Sequence, residues 1–312
     1  MARPLRIVYP GAYYHVMSRG NEQKEIFKSQ RDREKFLEYL ASATERYGAV
    51  IQAYCLMSNH YHLLLETPEG NQPQIMRHIN GAYTIYFNVK RKRSGHLFQG
   101  RYKAILVEAD SYAAELSRYI HLNPIRVGLV EKPGDYPWSS YRSYIGQIPP
   151  AEWFKTEFVL GYFGQPGTKT GFRYRHFVEE LQGRDYDSPL RKAIGTVVLG
   201  TADFVERVTA NHLDDREHEK DVPALRQLLS KPSPQKILKA VEKAFGTNKK
   251  LARQIGMYLC HRYSGKGNRE IGELFGVGSS AITEASRRLQ ERIEGDAKLA
   301  EAIQGVKSKL VI

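Results

Sequence analysis

The stretch Ser58-Asn59-His60-Tyr61-His62-Leu63 carries two histidines spaced two apart. On an extended strand side chains alternate faces, so His60 and His62 point the same way and can hold one metal ion. Two ligands leave such a site incomplete, and a third must come from elsewhere. Residues 111–124, SYAAELSRYIHLNP, offer one. Tyr119 and Asn123 stand four apart, neighbours on one helical face if the last turn persists to Asn123. The Asn123 amide oxygen can then complete the set, with the Tyr119 phenol one turn away. A plainer reading is also open: one histidine packed and one exposed, Tyr119 in a core, Asn123 capping the helix before Pro124. Tyr112 is the competing phenol, but Leu116 stands where its amide partner would be. His121 points about 200° around the helix from Tyr119 and is not counted as a ligand. His15 reads as structural.

The elements that must position these groups follow from periodicity. Residues 12–18 read as a strand closed by the Arg19-Gly20-Asn21 turn, and 31–47 as a helix stopped by Gly48. Residues 50–57 and 60–66 are strands joined through Ser58-Asn59 as a hairpin, which places the second inside a sheet. Residues 73–89 form a second helix running into Lys90-Arg91-Lys92-Arg93. Residues 96–108 read as strand interrupted by Gly100, and a helix from about 111 to 121 is stopped by Pro124. This β-α-β-β-α-β order predicts an α+β fold, a ferredoxin-like antiparallel sheet with helices packed on one face.

The 312 residues carry 47 Lys and Arg against 34 Asp and Glu, a net charge of +13. Hydrophobics at 41% and charged residues at 26% describe a folded chain rather than a disordered one. No apolar run reaches the roughly 18 residues of a membrane span, so no membrane partner is expected. Cys55 and Cys260 alone build neither a disulfide framework nor a cysteine-rich zinc module. A cytoplasmic, nucleoid-associated protein is expected. The charge divides as +7 over residues 1–150, −2 over 151–230 and +8 over 231–312. Two basic ends suit two contacts with a polyanion, for which nucleic acid is the default.

Together the segments carry a resemblance. Tyr13 to Asn21 (YYHVMSRGN), Met57 to Leu64 (MSNHYHLL), Gly100-Arg101-Tyr102-Lys103 and Tyr119 to Arg126 (YIHLNPIR) are similar to the HUH single-tyrosine transposases, specifically the REP-associated tyrosine transposases. One departure is Tyr61, where that family has an aliphatic residue between the histidines. The resemblance implies an HUH fold with Tyr119 as nucleophile, His60, His62 and Asn123 as metal ligands, and Mg²⁺ or Mn²⁺ as cofactor. It implies attack on single-stranded DNA near hairpins such as REP elements, giving a 5′-phosphotyrosine and a free 3′-OH. Imidazole donors suit Mn²⁺ better than Mg²⁺, so Mn²⁺ is expected to serve at least as well. Lys90, Arg91, Lys92, Arg93, Arg101 and Lys103 are candidates for the DNA backbone or for plain surface. Relatives work as dimers with the tyrosine helix exchanged or alone, so oligomeric state stays open.

The last third reads as helical. Residues 250–263 form an apolar-striped helix, 268–277 a short helix and tight turn, and 279–293 a third helix, a helix-turn-helix pattern. Ser279, Ser280, Thr283, Arg287 and Arg288 lie on its outward face, suited to bases and phosphates. ARQIGMYL (252–259) and EIGELFG (270–276) resemble the DNA-binding domain of the bacterial replication initiator DnaA. Where that family reads its target, this chain has Gly278-Ser279-Ser280-Ala281, so duplex or hairpin binding is implied, not the initiator's own box. The domains expected are a catalytic domain 1–146, a helical connecting region 147–230 and a helix-turn-helix domain 231–312. Two other functions fit parts of this pattern: a DNA-binding regulator without catalysis, and an HxH metal-dependent phosphodiesterase without a covalent step.

Overall fold

The computed structural model describes residues 6–165, 169–184, 186–213 and 232–310. It forms two compact units, one within Pro4–Gly200 and one within Thr201–Ile312. The expected connecting region 147–230 falls in both, Gly200 ending the first unit and Thr201 opening the second. Residues 214–231, including Lys231 of the Pro-punctuated linker, lie outside the described residues. Among the described residues no helix is long and apolar enough to cross a membrane.

The first unit runs β1 (Ala12–Arg19), α1 (Gln30–Tyr47), β2 (Val50–Leu56), β3 (His60–Thr67), α2 (Gln72–Lys90), β4 (Lys103–Val107) and α3 (Ala109–Arg126). Three short helices follow, α4 (Tyr141–Tyr144), α5 (Glu157–Gly161) and α6 (Thr170–Glu179), and then β5 (Val198–Leu199). Among the described residues the sheet has five strands in the order β2-β3-β1-β4-β5. It is antiparallel except where β5 runs parallel to β4. This is the α+β architecture expected, with β3 interior and Leu63, Leu64 and Leu65 fully buried. β4 is shorter than the 96–108 strand predicted. Residues 97–99 leave it to bond the end of β1, Asn21 N–H to Leu97 O and Gln99 N–H to Arg19 O, both at 2.8 Å.

The helices do not share one face. Tyr61 projects toward α1 and α2, where its ring meets Phe36 at 4.7 Å and its hydroxyl donates to Asn80 Oδ1 at 2.7 Å. An aromatic is accommodated between the two histidines because this side is a deep two-helix core with a polar partner in reach. α3 lies on the opposite face, the one His62 occupies.

Lys90 and Arg91 are held at the start of α1. Ser29 and Asp32 form a capping box there, each side chain accepting from the other's backbone N–H. The Asp32 carboxylate, with no exposed surface, also accepts from Lys90 Nζ at 2.8 Å and from the Arg91 guanidinium. Burial alone would raise its pKa, but the hydrogen bonds from Lys90 and Arg91 outweigh that and hold it down to about 2. Of the basic cluster expected to face DNA, these two clamp α2 to α1. Lys92 and Arg93 are exposed, Arg93 donating to His96 O at 3.1 Å.

Pro124 does not stop α3, which continues to Arg126. A proline inside a helix leaves the carbonyl four residues back without its donor. Here that carbonyl is Ile120 O, and Asn123 Nδ2 reaches it at 3.5 Å while donating to Tyr119 O at 2.8 Å. Asn123 thus compensates for its neighbour, and the last turn persists.

The second unit holds α7 (Ala202–His212), α8 (Pro234–Phe245), α9 (Lys249–Tyr263), α10 (Asn268–Phe275), α11 (Ser279–Gly295) and α12 (Ala297–Leu310). Ile237, Ile255, Leu259, Ile271, Ile282, Leu289 and Ile303 lie in its core. The α10–α11 turn depends on two glycines. Gly276 adopts φ +64°, and a Cβ at Gly272 would sit 2.5 Å from Val277 O.

Candidate active site

The face of the sheet under α3 carries Arg19, Met17 and His15 from β1, with His60 and His62 from β3. The register pairs Arg19 with His60 and Met17 with His62 on one side, and Met17 with Lys103 on the other. Lys103 is therefore in line with His62, two strands away, and is exposed like Arg101. From α3 the Tyr119 ring meets His62 edge-on at 5.7 Å and His15 at 6.1 Å between centroids. On its other flank the Arg126 guanidinium lies 5.1 Å from the ring centre. No contact brings Tyr112 to these histidines among the described residues.

Each prospective metal donor has its remaining polar atom tied down. His60 Nδ1 lies 2.6 Å from Asn59 Oδ1, and Asn59 Nδ2 donates to Gln23 O at 3.1 Å. The second bond fixes the amide orientation, so Oδ1 accepts, His60 Nδ1 carries the proton, and Nε2 keeps its lone pair. Asn123 Nδ2 is spent on Tyr119 O and Ile120 O, which leaves Oδ1 as the atom for a ligand. His62 Nδ1 lies 3.0 Å from His15 Nε2, both residues being under 4% exposed. The pair has two tautomeric forms, and the one in which His62 donates leaves its Nε2 free for a metal.

Burial holds these rings neutral. It lowers His15 to about 4, and burial followed by the charge of Arg19 lowers His60 to about 4. His62 is pushed well below its ordinary value, by burial first and then by His15, His60, Arg19 and Arg126. Neutral imidazole is the form that ligates metals. Among the described residues no three His, Cys, Asp or Glu side chains gather as a metal cluster, and Asn123 Oδ1 is the neutral oxygen that could join the two imidazoles. Two nitrogens and one amide oxygen fit a divalent first-row ion better than Mg²⁺. Sequence reasoning missed Asn59 as partner to His60 and His15 as partner to His62. The first signal was adjacency; the second needed the strand register.

His121 faces away, as its position on the helix required. Its ring nitrogens meet Tyr174 Oη at 2.7 Å and Ser140 Oγ at 2.8 Å. In the second unit Ser279, Ser280, Thr283, Arg287 and Arg288 are all exposed on α11. Thr283 Oγ1 accepts from Asn268 Nδ2 at 3.0 Å, and Arg287 and Arg288 both pair with Glu284.

A tyrosine and a His-x-His pair thus gather on one face of an antiparallel sheet. Residues 8–123 match the family model described as "Transposase IS200 like". A curated Haemophilus influenzae protein, assigned as a REP-associated tyrosine transposase, is 30% identical over 121 residues, 35% of this chain and 69% of its own length. The chain belongs to the REP-associated tyrosine transposases and is an enzyme of that family. A solved REP-associated tyrosine transposase bound to a REP hairpin overlays with a TM-score of 0.41 at 17% identity, over 50% of this chain and 92% of that one. A transposase from Deinococcus radiodurans R1 overlays with a TM-score of 0.28 at 20% identity, over 38% and 95%.

Proposed function

We propose that this protein cuts and rejoins single-stranded DNA beside hairpin, REP-like elements through a covalent Tyr119–DNA intermediate, with a divalent cation at His60, His62 and Asn123. The observation that carries the reading is the seat of the Tyr119 ring against His62, one turn before an Asn123 amide whose oxygen is left for a ligand. In the cleavage step the Oη–phosphorus bond forms and the phosphorus–O3′ bond breaks. The phenol proton goes to solvent, and the departing O3′ takes one up as the free hydroxyl. The ester-bond energy is kept in the 5′-phosphotyrosine, so a 3′-OH can attack it and restore the phenol without ATP. Bound Mg²⁺ or Mn²⁺ would polarise the phosphate and offset charge in the transition state.

The test is a labelled single-stranded hairpin incubated with the protein and Mn²⁺ or Mg²⁺, then run under denaturing conditions. A protein–DNA adduct is expected, at least as strong in Mn²⁺, and absent in His60→Ala. Cleavage with no adduct would favour a phosphodiesterase, and binding with neither would favour a regulator. The His15 hydrogen bond should also matter to the metal. Losing such an outer partner typically costs 10–100-fold in affinity, about the drop in Mn²⁺ affinity expected by calorimetry for His15→Leu.

The exposed face of α11 is proposed as a second DNA contact, to duplex or hairpin. Glu284 pairs with both Arg287 and Arg288, and Glu291 with Arg287, so a phosphate would compete with these exposed carboxylates. Replacing both arginines with alanine is expected to weaken hairpin binding and flatten its dependence on log salt by roughly 1–2. An unchanged slope would remove this face from the DNA contact.

A further inference from the structure

Two cations beside the site have no task in the reading above. Arg19 ends β1 opposite His60, and residues so paired share a face with their Cβ atoms about 5 Å apart. Its Nε is buried and lacks a hydrogen-bond partner. A buried guanidinium nitrogen left unpaired costs free energy unless a ligand completes it. Arg126 stands two turns after Tyr119, with its guanidinium over the phenol ring. Neither arginine has a carboxylate partner among the described residues, whereas Arg91, Arg118, Arg175 and Arg287 all do. The Tyr119 pocket is thus flanked by positive charge with no carboxylate paired to it among the described residues.

We propose that Arg19 and Arg126 form an anion subsite that grips the non-bridging oxygens of the phosphodiester attacked by Tyr119, Arg19 from the His60 side and Arg126 from over the phenol ring. The guanidinium fork suits this role because it donates two parallel bonds to one phosphate and stays charged at any working pH. The subsite holds substrate through the chain's own side chains and so acts without a metal, but it rests on the reading of Tyr119 as nucleophile on DNA.

The test measures binding in EDTA, with the full-length protein and the hairpin oligonucleotide that the wild type cleaves. A second copy of that oligonucleotide carries a neutral methylphosphonate at the cut bond. Wild type is expected to bind the normal DNA about tenfold more tightly than the methylphosphonate. Arg19→Gln and Arg126→Gln should each lose most of that preference, and Arg19→Lys should recover part of it. A purely structural role would weaken both oligonucleotides alike, which overturns the proposal, as does a wild type indifferent to the methylphosphonate. A wild type that cleaves no hairpin overturns the reading of the enzyme itself, a result separate from any change between variants.

Discussion

Tyr119→Phe is expected to lower DNA cleavage on the order of 10⁴-fold or more, while hairpin affinity stays within about twofold. The substitution removes one oxygen and leaves the ring. The contacts that seat that ring, edge-on to His62 and His15 and under Arg126, do not use the hydroxyl. Binding and folding should therefore survive, and only the nucleophile is lost. Adduct formation on a denaturing gel reads the result, with single-turnover rates for the magnitude. Tyr112 is the available substitute, but it lies two turns back along α3 with no contact to the histidines. Cleavage that persists in Tyr119→Phe, without an adduct, would replace the covalent mechanism with hydrolysis.

The sequence made this residue findable because strand and helix periodicities are short-range. A spacing of two on a strand and of four on a helix fixes which side chains are neighbours, whatever the rest of the chain does. The same locality explains what was missed. His15 and His62 are 47 residues apart, and their 3.0 Å contact depends on the β1–β3 register, which no local spacing states. Lys90 and Arg91 read as a basic cluster because their partner, Asp32, lies on another helix. Pro124 read as a stop because the donor that offsets it is a side chain, Asn123, not a backbone group. β5 is two residues long, too short to show any periodicity.

The segment after α3 was the least legible, and a large effect is expected there. His121→Leu should destabilise the first unit by about 1–3 kcal/mol, lowering its melting temperature by roughly 3–10 °C. The ring joins α3 to segments far along the chain through hydrogen bonds at both of its nitrogens. His121 Nε2 lies 2.8 Å from Ser140 Oγ and Nδ1 2.7 Å from Tyr174 Oη, while Tyr174 Oη–H donates to Ser117 Oγ and Ser117 Oγ–H to Ala114 O. Ser140 Oγ accepts in turn from Tyr54 N–H on β2 at 2.9 Å. Ser140 Oγ also donates to Tyr54 O at 3.2 Å and Tyr174 Oη keeps Ser117 Oγ, so leucine removes two enclosed hydrogen bonds without stranding either hydroxyl, at about 0.5–1.5 kcal/mol each. Arg118, one turn from Glu115, adds a bond to Phe177 O at 3.1 Å on the same side. α4 and α6 therefore brace the tyrosine helix against β2.

The pH dependence of that loss identifies its cause. Burial lowers His121 to about 3, far below the value near 6.5 of an exposed histidine. Between those values the unfolded chain binds a proton that the folded chain refuses. Wild-type stability from this residue is therefore full above pH 6.5 and falls as the pH drops, by up to ~1.4 kcal/mol per unit, levelling off near pH 3. The leucine variant has no such group. The stability gap between the two proteins, measured by urea unfolding, should shrink by about 2 kcal/mol from pH 6.5 to pH 5. A gap that stays constant over that range would mean that His121 does not enter the fold as a neutral ring.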